Sequence, residues 1–110
     1  MGRDYLGEFE LVVLSALARL GRDAYGASIH AEILDATGRD VSIPAVYVTL
    51  KRMERKGLVR SAFGLAGDSA RKRTRNYRIT TEGREAIDRS RAQLERLWEG
   101  LPARPDEVTS

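Results

Sequence analysis

A chain of 110 residues is enough for one compact domain with a modest core, and 42% hydrophobic against 32% charged residues is the balance of a folded protein. The absence of cysteine excludes disulfides and thiolate metal sites, and the single histidine, His30, cannot build a zinc site alone. No apolar run approaches the length that spans a bilayer, and Met1-Gly2-Arg3-Asp4 lacks the apolar core of a signal peptide, so a cytoplasmic protein with no membrane partner is expected. The net charge of +3 conceals an asymmetry. Residues 42–80 hold ten Lys and Arg against two acids, Glu54 and Asp68, whereas the remainder holds nine basic residues against fourteen acids. One concentrated basic segment on an acidic-leaning body has the electrostatic form of a nucleic-acid binder.

Residues 6–20, LGEFELVVLSALARL, predict a helix with apolar positions at Leu6, Phe9, Val13, Ala16, Leu17 and Leu20, and with Leu11, Val12 and Leu14 on a second side. A helix apolar nearly all round needs cover on two faces, one from its own domain and one from a partner subunit. Gly21 ends it. Asp23 can cap a second helix of about residues 24–37, with Ile29, Ile33 and Ala36 inward and Gly38 closing it. Ser42 caps a third, with Pro44 in its first turn, where a missing N–H does no harm. Its inward stripe is Ile43, Val46, Leu50 and Met53, and Gly57 stops it.

After Gly57 the apolar period shortens to that of a strand. LVRSAFGL and RNYRIT read as two short strands joined by a loop containing Gly and Asp. That loop holds most of a run of five basic side chains in eight positions: Arg71, Lys72, Arg73, Arg75 and Arg78. Thr80 or Thr81 begins a last helix, to about Glu99, stopped by Gly100 and Pro102. The expected fold is mainly α with a small β-hairpin, a winged helix-turn-helix with a C-terminal dimerisation helix. It divides into a DNA-binding domain over residues 1–80, the dimerisation helix over 81–101 and a tail without ordered structure over 102–110.

In such a fold the second helix of the pair enters the major groove of duplex DNA, and the hairpin reaches the adjacent backbone or minor groove. Duplex phosphates would supply the counter-charge that the run from Arg71 to Arg78 lacks. With Val46, Leu50 and Met53 inward, the outer face of the third helix begins with Ala45, Val48 and Thr49, with Tyr47 at its edge. Small uncharged residues let a helix sit deep in a groove, where methyl groups meet thymine methyls and hydroxyls meet bases or phosphates. The alternative use of Ala45 and Val48 is packing in a second interface. Lys51, Arg52, Arg55 and Lys56 follow on later turns, suited to phosphate, with Glu54 among them to orient one through an ion pair. On the last helix, Ile87, Leu94 and Leu101 recur every seven residues, with Leu97 and Trp98 between the last two. That is a coiled-coil-like seam, assigned with the spare face of the first helix (Phe9, Val13) to a homodimer. Trp98 either packs there or stacks a flat small-molecule effector in a pocket between subunits.

In LGEFELVVLSALARLGRDAYGASI, VSIPAVYVTLKRMERKGLV and RNYRITTEGREAI the chain resembles the PadR-like transcriptional regulators over about residues 6–100. Ala24-Tyr25-Gly26 in register with Val46-Tyr47, Leu50, Arg52, Glu54 and Gly57-Leu58 carries the resemblance. It implies a homodimeric repressor on a palindromic operator, paired through its C-terminal helix and often released by a small molecule. It also implies Ser42 and Tyr47 near the DNA backbone, and Tyr25 with Gly26 facing phosphate; the residues alone leave Tyr25 equally a half-buried aromatic. Leu97-Trp98-Glu99 resembles the family's short-tailed members, which lack a larger C-terminal ligand domain. One departure is Pro44, which stands where the family usually has Gly, often within Ser-x-Gly. Two other functions compete with this one. An enzyme would need a nucleophile with a base, paired carboxylates or a metal cluster, and no such set is present, so neither catalysis nor a cofactor is expected. A winged-helix module that binds protein or RNA is the alternative, although only Phe63 and Tyr77 are available to stack bases on a sheet.

Overall fold

The computed structural model describes residues 6–66 and 69–104, with the backbone alone for residues 23, 65, 66 and 69–73. The expected tail from residue 105 onward lies outside the described residues. In chain order the elements are α1 (Glu8–Leu20), a single tight helical turn (Gly21–Asp23), α2 (Gly26–Thr37), α3 (Ile43–Arg55), β1 (Val59–Ala66), β2 (Ser69–Ile79) and α4 (Thr81–Glu99). This is a mainly helical winged-helix fold, with β1 and β2 as an antiparallel hairpin. Among the described residues no helix is long and apolar enough to cross a membrane.

Each helix start has a local cause. The backbone N–H of Gly7 donates to Glu10 Oε1 at 3.0 Å, which fastens the first turn of α1. α2 begins at Gly26 rather than near residue 24, and Tyr25, not Asp23, stands at its N-cap. The reason is Ala24, held extended because its carbonyl accepts the Tyr77 N–H of β2 at 2.8 Å. Ser28 Oγ satisfies the Tyr25 N–H at 3.0 Å. α3 starts as the sequence indicates: Ser42 Oγ accepts the Ala45 N–H at 3.0 Å, and Pro44 sits in the first turn. Ile43, expected in the buried stripe, is exposed instead. The stripe runs Val46, Thr49, Leu50, Met53, which is the i, i+3, i+4, i+7 set of one helix face.

The core joins Val13, Leu14 and Leu17 of α1 with Ile29 and Ile33 of α2, Val46, Leu50 and Met53 of α3, Val59 and Tyr77 of the hairpin, and Ile87 of α4. Burying each large apolar side chain stabilises the fold by about 1.5–3 kcal/mol before conformational entropy is counted. Val13 and Ile87 were expected at a subunit interface; both are enclosed within this chain's own core. The seven-residue spacing grouped Ile87 with Leu94 and Leu101, but the first turns of α4 lie on α1 and β2.

The hairpin is longer than its apolar pattern suggests. Pairing runs from Val59↔Ile79 to Leu65↔Arg73, with an irregularity at Ala66. The basic run therefore belongs to β2 itself, not to a loop. Within it, Arg75 stacks its guanidinium 4.2 Å from the ring centroid of Phe63, its cross-strand partner.

Thr80 joins hairpin to α4. Its Oγ1 accepts the Gly83 N–H at 3.0 Å and donates to the Gly57 carbonyl at 2.8 Å, while its N–H reaches the Leu58 carbonyl at 3.0 Å. Gly83 packs so closely that a Cβ would overlap the Leu58 carbonyl and the Ile79 side chain. Backbone cannot yield there as a side-chain tip could. Gly83→Ala is thus expected to destabilise the protein by about 1–3 kcal/mol through overpacking, against a helix-propensity gain of at most about 1 kcal/mol. Urea unfolding of the two proteins checks this, and a variant as stable as the parent would contradict it.

Candidate nucleic-acid interface

The outer face of α3 carries Pro44, Tyr47, Val48, Lys51, Arg52 and Arg55, with Ala45 half-buried beside them. Val48 is 57% exposed, a large value for a branched apolar side chain. Thr49, expected among these outer residues, is only 3% exposed. It completes the inward stripe, one turn from Val46 and Met53, and is removed from the candidate surface. Ser42 is exposed at the helix start, where its oxygen is occupied by the Ala45 N–H and its own proton is left to donate.

Tyr47 is fixed from two sides. Its ring lies over Gly26, where a Cβ would overlap the phenol, so the glycine is what lets α3 approach the first turn of α2. It also meets Tyr77, with ring centroids 6.5 Å apart at 57°. Burial pushes the Tyr77 phenol up from its ordinary pKa; Arg75 opposes this, while Tyr47 and Glu54 add to it. Tyr77 is therefore a neutral core group, whereas Tyr47 remains partly open. Tyr25, at the N-cap of α2, is half-buried.

Glu54 does not orient a neighbouring cation of α3. Ser61 Oγ donates to Glu54 Oε2 at 2.7 Å, and Arg75 Nη1 donates to Ser61 Oγ at 2.8 Å. The helix thereby holds the wing's Arg75, which is half-buried and already stacked on Phe63. Arg71, Lys72 and Arg73 stand on β2, and their side chains lie outside the described residues.

A carboxylate that sequence reasoning missed anchors the other end of α3. Glu10 of α1 is 6% exposed; its Oε2 accepts from Lys56 Nζ at 3.0 Å and lies 3.7 Å from Arg52 Nη1. Burial raises its pKa, but the Gly7 N–H, the Lys56 hydrogen bond and the charges of Lys56 and Arg52 together hold it below the ordinary glutamate range. The available signal was an acid inside the apolar run Phe9-Glu10-Leu11-Val12. Arg52 and Lys56, expected to be free for phosphate, share this partner.

Because the folded pKa is lowered, the stabilisation is present above the unfolded glutamate pKa of about 4.3 and is lost as pH falls through the folded value. Glu10→Gln is expected to cost about 1–3 kcal/mol at neutral pH, the worth of hydrogen bonds to a charged group. The difference from the parent should shrink on acidification below about pH 4. Denaturation at a series of pH values measures both, and a pH-independent difference would argue against the ionised cluster.

The far half of α4 leaves Leu94, Leu97, Trp98 and Leu101 open, with Leu97 69% and Trp98 58% exposed. On α1, Phe9 is half-buried under the Arg39 guanidinium, 5.8 Å from its centroid. Between α1 and α2 lies an apolar groove of about 200 Å³, lined by Leu11, Val12, Ala16, Ile33 and Ala36 and edged by Arg19 and Glu32.

A helix-turn-helix whose second helix presents an uncharged then basic outer face, followed by a basic hairpin, defines a winged-helix regulator. The sequence matches the transcriptional regulator PadR-like family over residues 13–89, and the chain belongs to that family. Solved structures agree in fold. A PadR family transcription regulator from Clostridium difficile is similar at a TM-score of 0.72 and 24% identity, covering 84% of this chain and 93% of that one. A PadR family regulator from Eggerthella lenta gives 0.66 at 28% identity, over 84% and 76%. Bacillus subtilis PadR in complex with operator DNA gives 0.61 at 16% identity, over 87% of this chain and 49% of that one. Among curated protein sequences, none matches the chain significantly.

Proposed function

We propose that this regulator binds duplex DNA as a homodimer, acting as a repressor at a palindromic operator. The observation that carries the reading is the outer face of α3, where Ala45, Tyr47 and an exposed Val48 precede Lys51 and Arg52. A thymine methyl in the major groove is a surface that would cover Val48. Lys51 then meets phosphate, as does Arg52 through the donors that Glu10 leaves open, with Ser42 and Tyr25 as polar groups at the two helix starts. Arg71, Lys72 and Arg73 of β2 add backbone contacts, and Arg75 shapes the wing from within. That the structurally similar Bacillus subtilis PadR was solved in complex with operator DNA supports the duplex as the partner. Val48→Ala is expected to shift preference among operator variants by about 1–3 kcal/mol for a directly read base pair, leaving non-specific affinity nearly unchanged. Selection from random duplexes followed by titration tests it; equal losses on every sequence would reduce Val48 to a spacer, and no duplex binding at all would end the reading.

The homodimer rests on the open stripe of α4. Leu94, Leu97, Trp98 and Leu101 cannot reach this chain's core, and a two-fold interface buries each residue twice. The half-buried face of α1 around Phe9 is the matching surface. Trp98 serves this seam by packing, or by stacking the flat effector that would release the operator. Leu97→Glu places two like charges in an apolar seam, so the variant is expected to sediment as a folded monomer with steeply reduced affinity for a two-half-site duplex. Leu97 is mostly exposed in the single chain, so circular dichroism should be unaltered. A native dimer would place the interface elsewhere.

A further inference from the structure

The hairpin has a second charged surface. Arg60 of β1 and Arg78 of β2 stand directly opposite each other in the ladder. Arg22, from the turn before α2, joins them around a cleft of about 350 Å³ that Ser61 and Asn76 also line. All three arginines are exposed, and none forms an ion pair among the described residues. Glu82 lines the adjoining cleft beside Arg60 and Arg78 without coming within ion-pair distance of them.

Like charges directly opposed on neighbouring strands destabilise a hairpin. Several of this chain's other cations are compensated: Arg52 and Lys56 share Glu10, Arg19 meets Glu32, Arg39 meets Glu8, and Arg75 is stacked and hydrogen-bonded. At Arg22, Arg60 and Arg78 no described group does so. Three planar guanidinium forks around one concavity suit a tetrahedral anion of more than one charge, whose oxygens can accept from several forks at once. A carboxylate would satisfy one of them.

We propose that this cleft binds a phosphate group, held by Arg22, Arg60 and Arg78 with the Asn76 amide as a further donor. Its volume leaves room for a phosphoester substituent. The phosphate can belong to a DNA strand passing outside the α3 and wing contacts, or to a free phosphorylated small molecule; the first source rests on the duplex-binding reading above.

The test uses the full chain, Arg60→Gln and Arg78→Gln, with Lys51→Ala as a separate probe of α3. For a DNA phosphate, each glutamine variant lowers the slope of log affinity against log salt by about 0.9. For a free ligand, inorganic pyrophosphate raises the thermal midpoint of the parent saturably, above a sodium chloride control of equal ionic strength, and does so less in either variant. Either result supports the cleft and names its source. Unchanged slopes together with no pyrophosphate-specific shift overturn it. A slope lowered by Lys51→Ala but not by the glutamine variants leaves the α3 reading intact and removes DNA as the source. The reverse pattern moves the duplex contact from α3 to this cleft.

Discussion

One backbone hydrogen bond, from the Tyr77 N–H to the Ala24 carbonyl, sets the geometry on which the rest of the surface depends. It draws the turn before α2 alongside β2, making Ala24 a short extension of the hairpin. The chain must then enter α2 directly at Tyr25 and Gly26, which places the first turn of that helix under the Tyr47 ring. Tyr77, whose N–H makes the bond, buries its own side chain against Tyr47. Turn, wing and outer helix are thereby referred to one point. A change in any of them alters the position of Tyr47, the residue at the border between core and outer surface.

The opposite end of α3 is governed by charge. Glu10 is sequestered from water and would resist ionisation there if it stood alone; the Gly7 N–H and the cations Arg52 and Lys56 reverse that balance. Breaking such a cluster by removing one partner leaves an uncompensated group, so it acts as a register pin between α1 and α3. It also divides the cations by role. Lys51 and Arg55 project from the outer face with no ion pair among the described residues, whereas Arg52 and Lys56 are partly committed to holding the helix in place.

Periodicity and capping chemistry made the element order readable, because each helix here begins or ends on a residue with a local reason: Ser42, Thr80 and Gly38 are examples. The two faces of α3 were legible except at Thr49, whose hydroxyl suggested water while the helix period took it inward, and at Ile43, which the structure leaves exposed. What the sequence could not display were relations across the chain. Glu10 lies far in sequence from Lys56, Arg22 from Arg60 and Arg78, and Glu54 reaches Arg75 only through Ser61. Charge counting found the basic segment but could not say which cations the fold neutralises. In α4, heptad spacing identified an apolar stripe, yet the boundary between its core half and its open half depends on where α1 and β2 end.

That boundary has a mechanical consequence for a dimer paired through α4. The helix is continuous from Thr81 to Glu99, and its first turn is bonded at Thr80 and packed at Gly83 against Gly57 and Leu58, the joint between α3 and β1. A rotation imposed on the open end at Leu97 and Trp98 would act as a lever on that joint, since the close Gly83–Leu58 contact leaves little slack to absorb it. The two α3 helices of a dimer would therefore be spaced by the angle at which the α4 helices cross. An effector of the kind proposed, lodged beside Trp98, would need no contact with the DNA surface to alter that spacing; it would have only to favour one crossing angle over another.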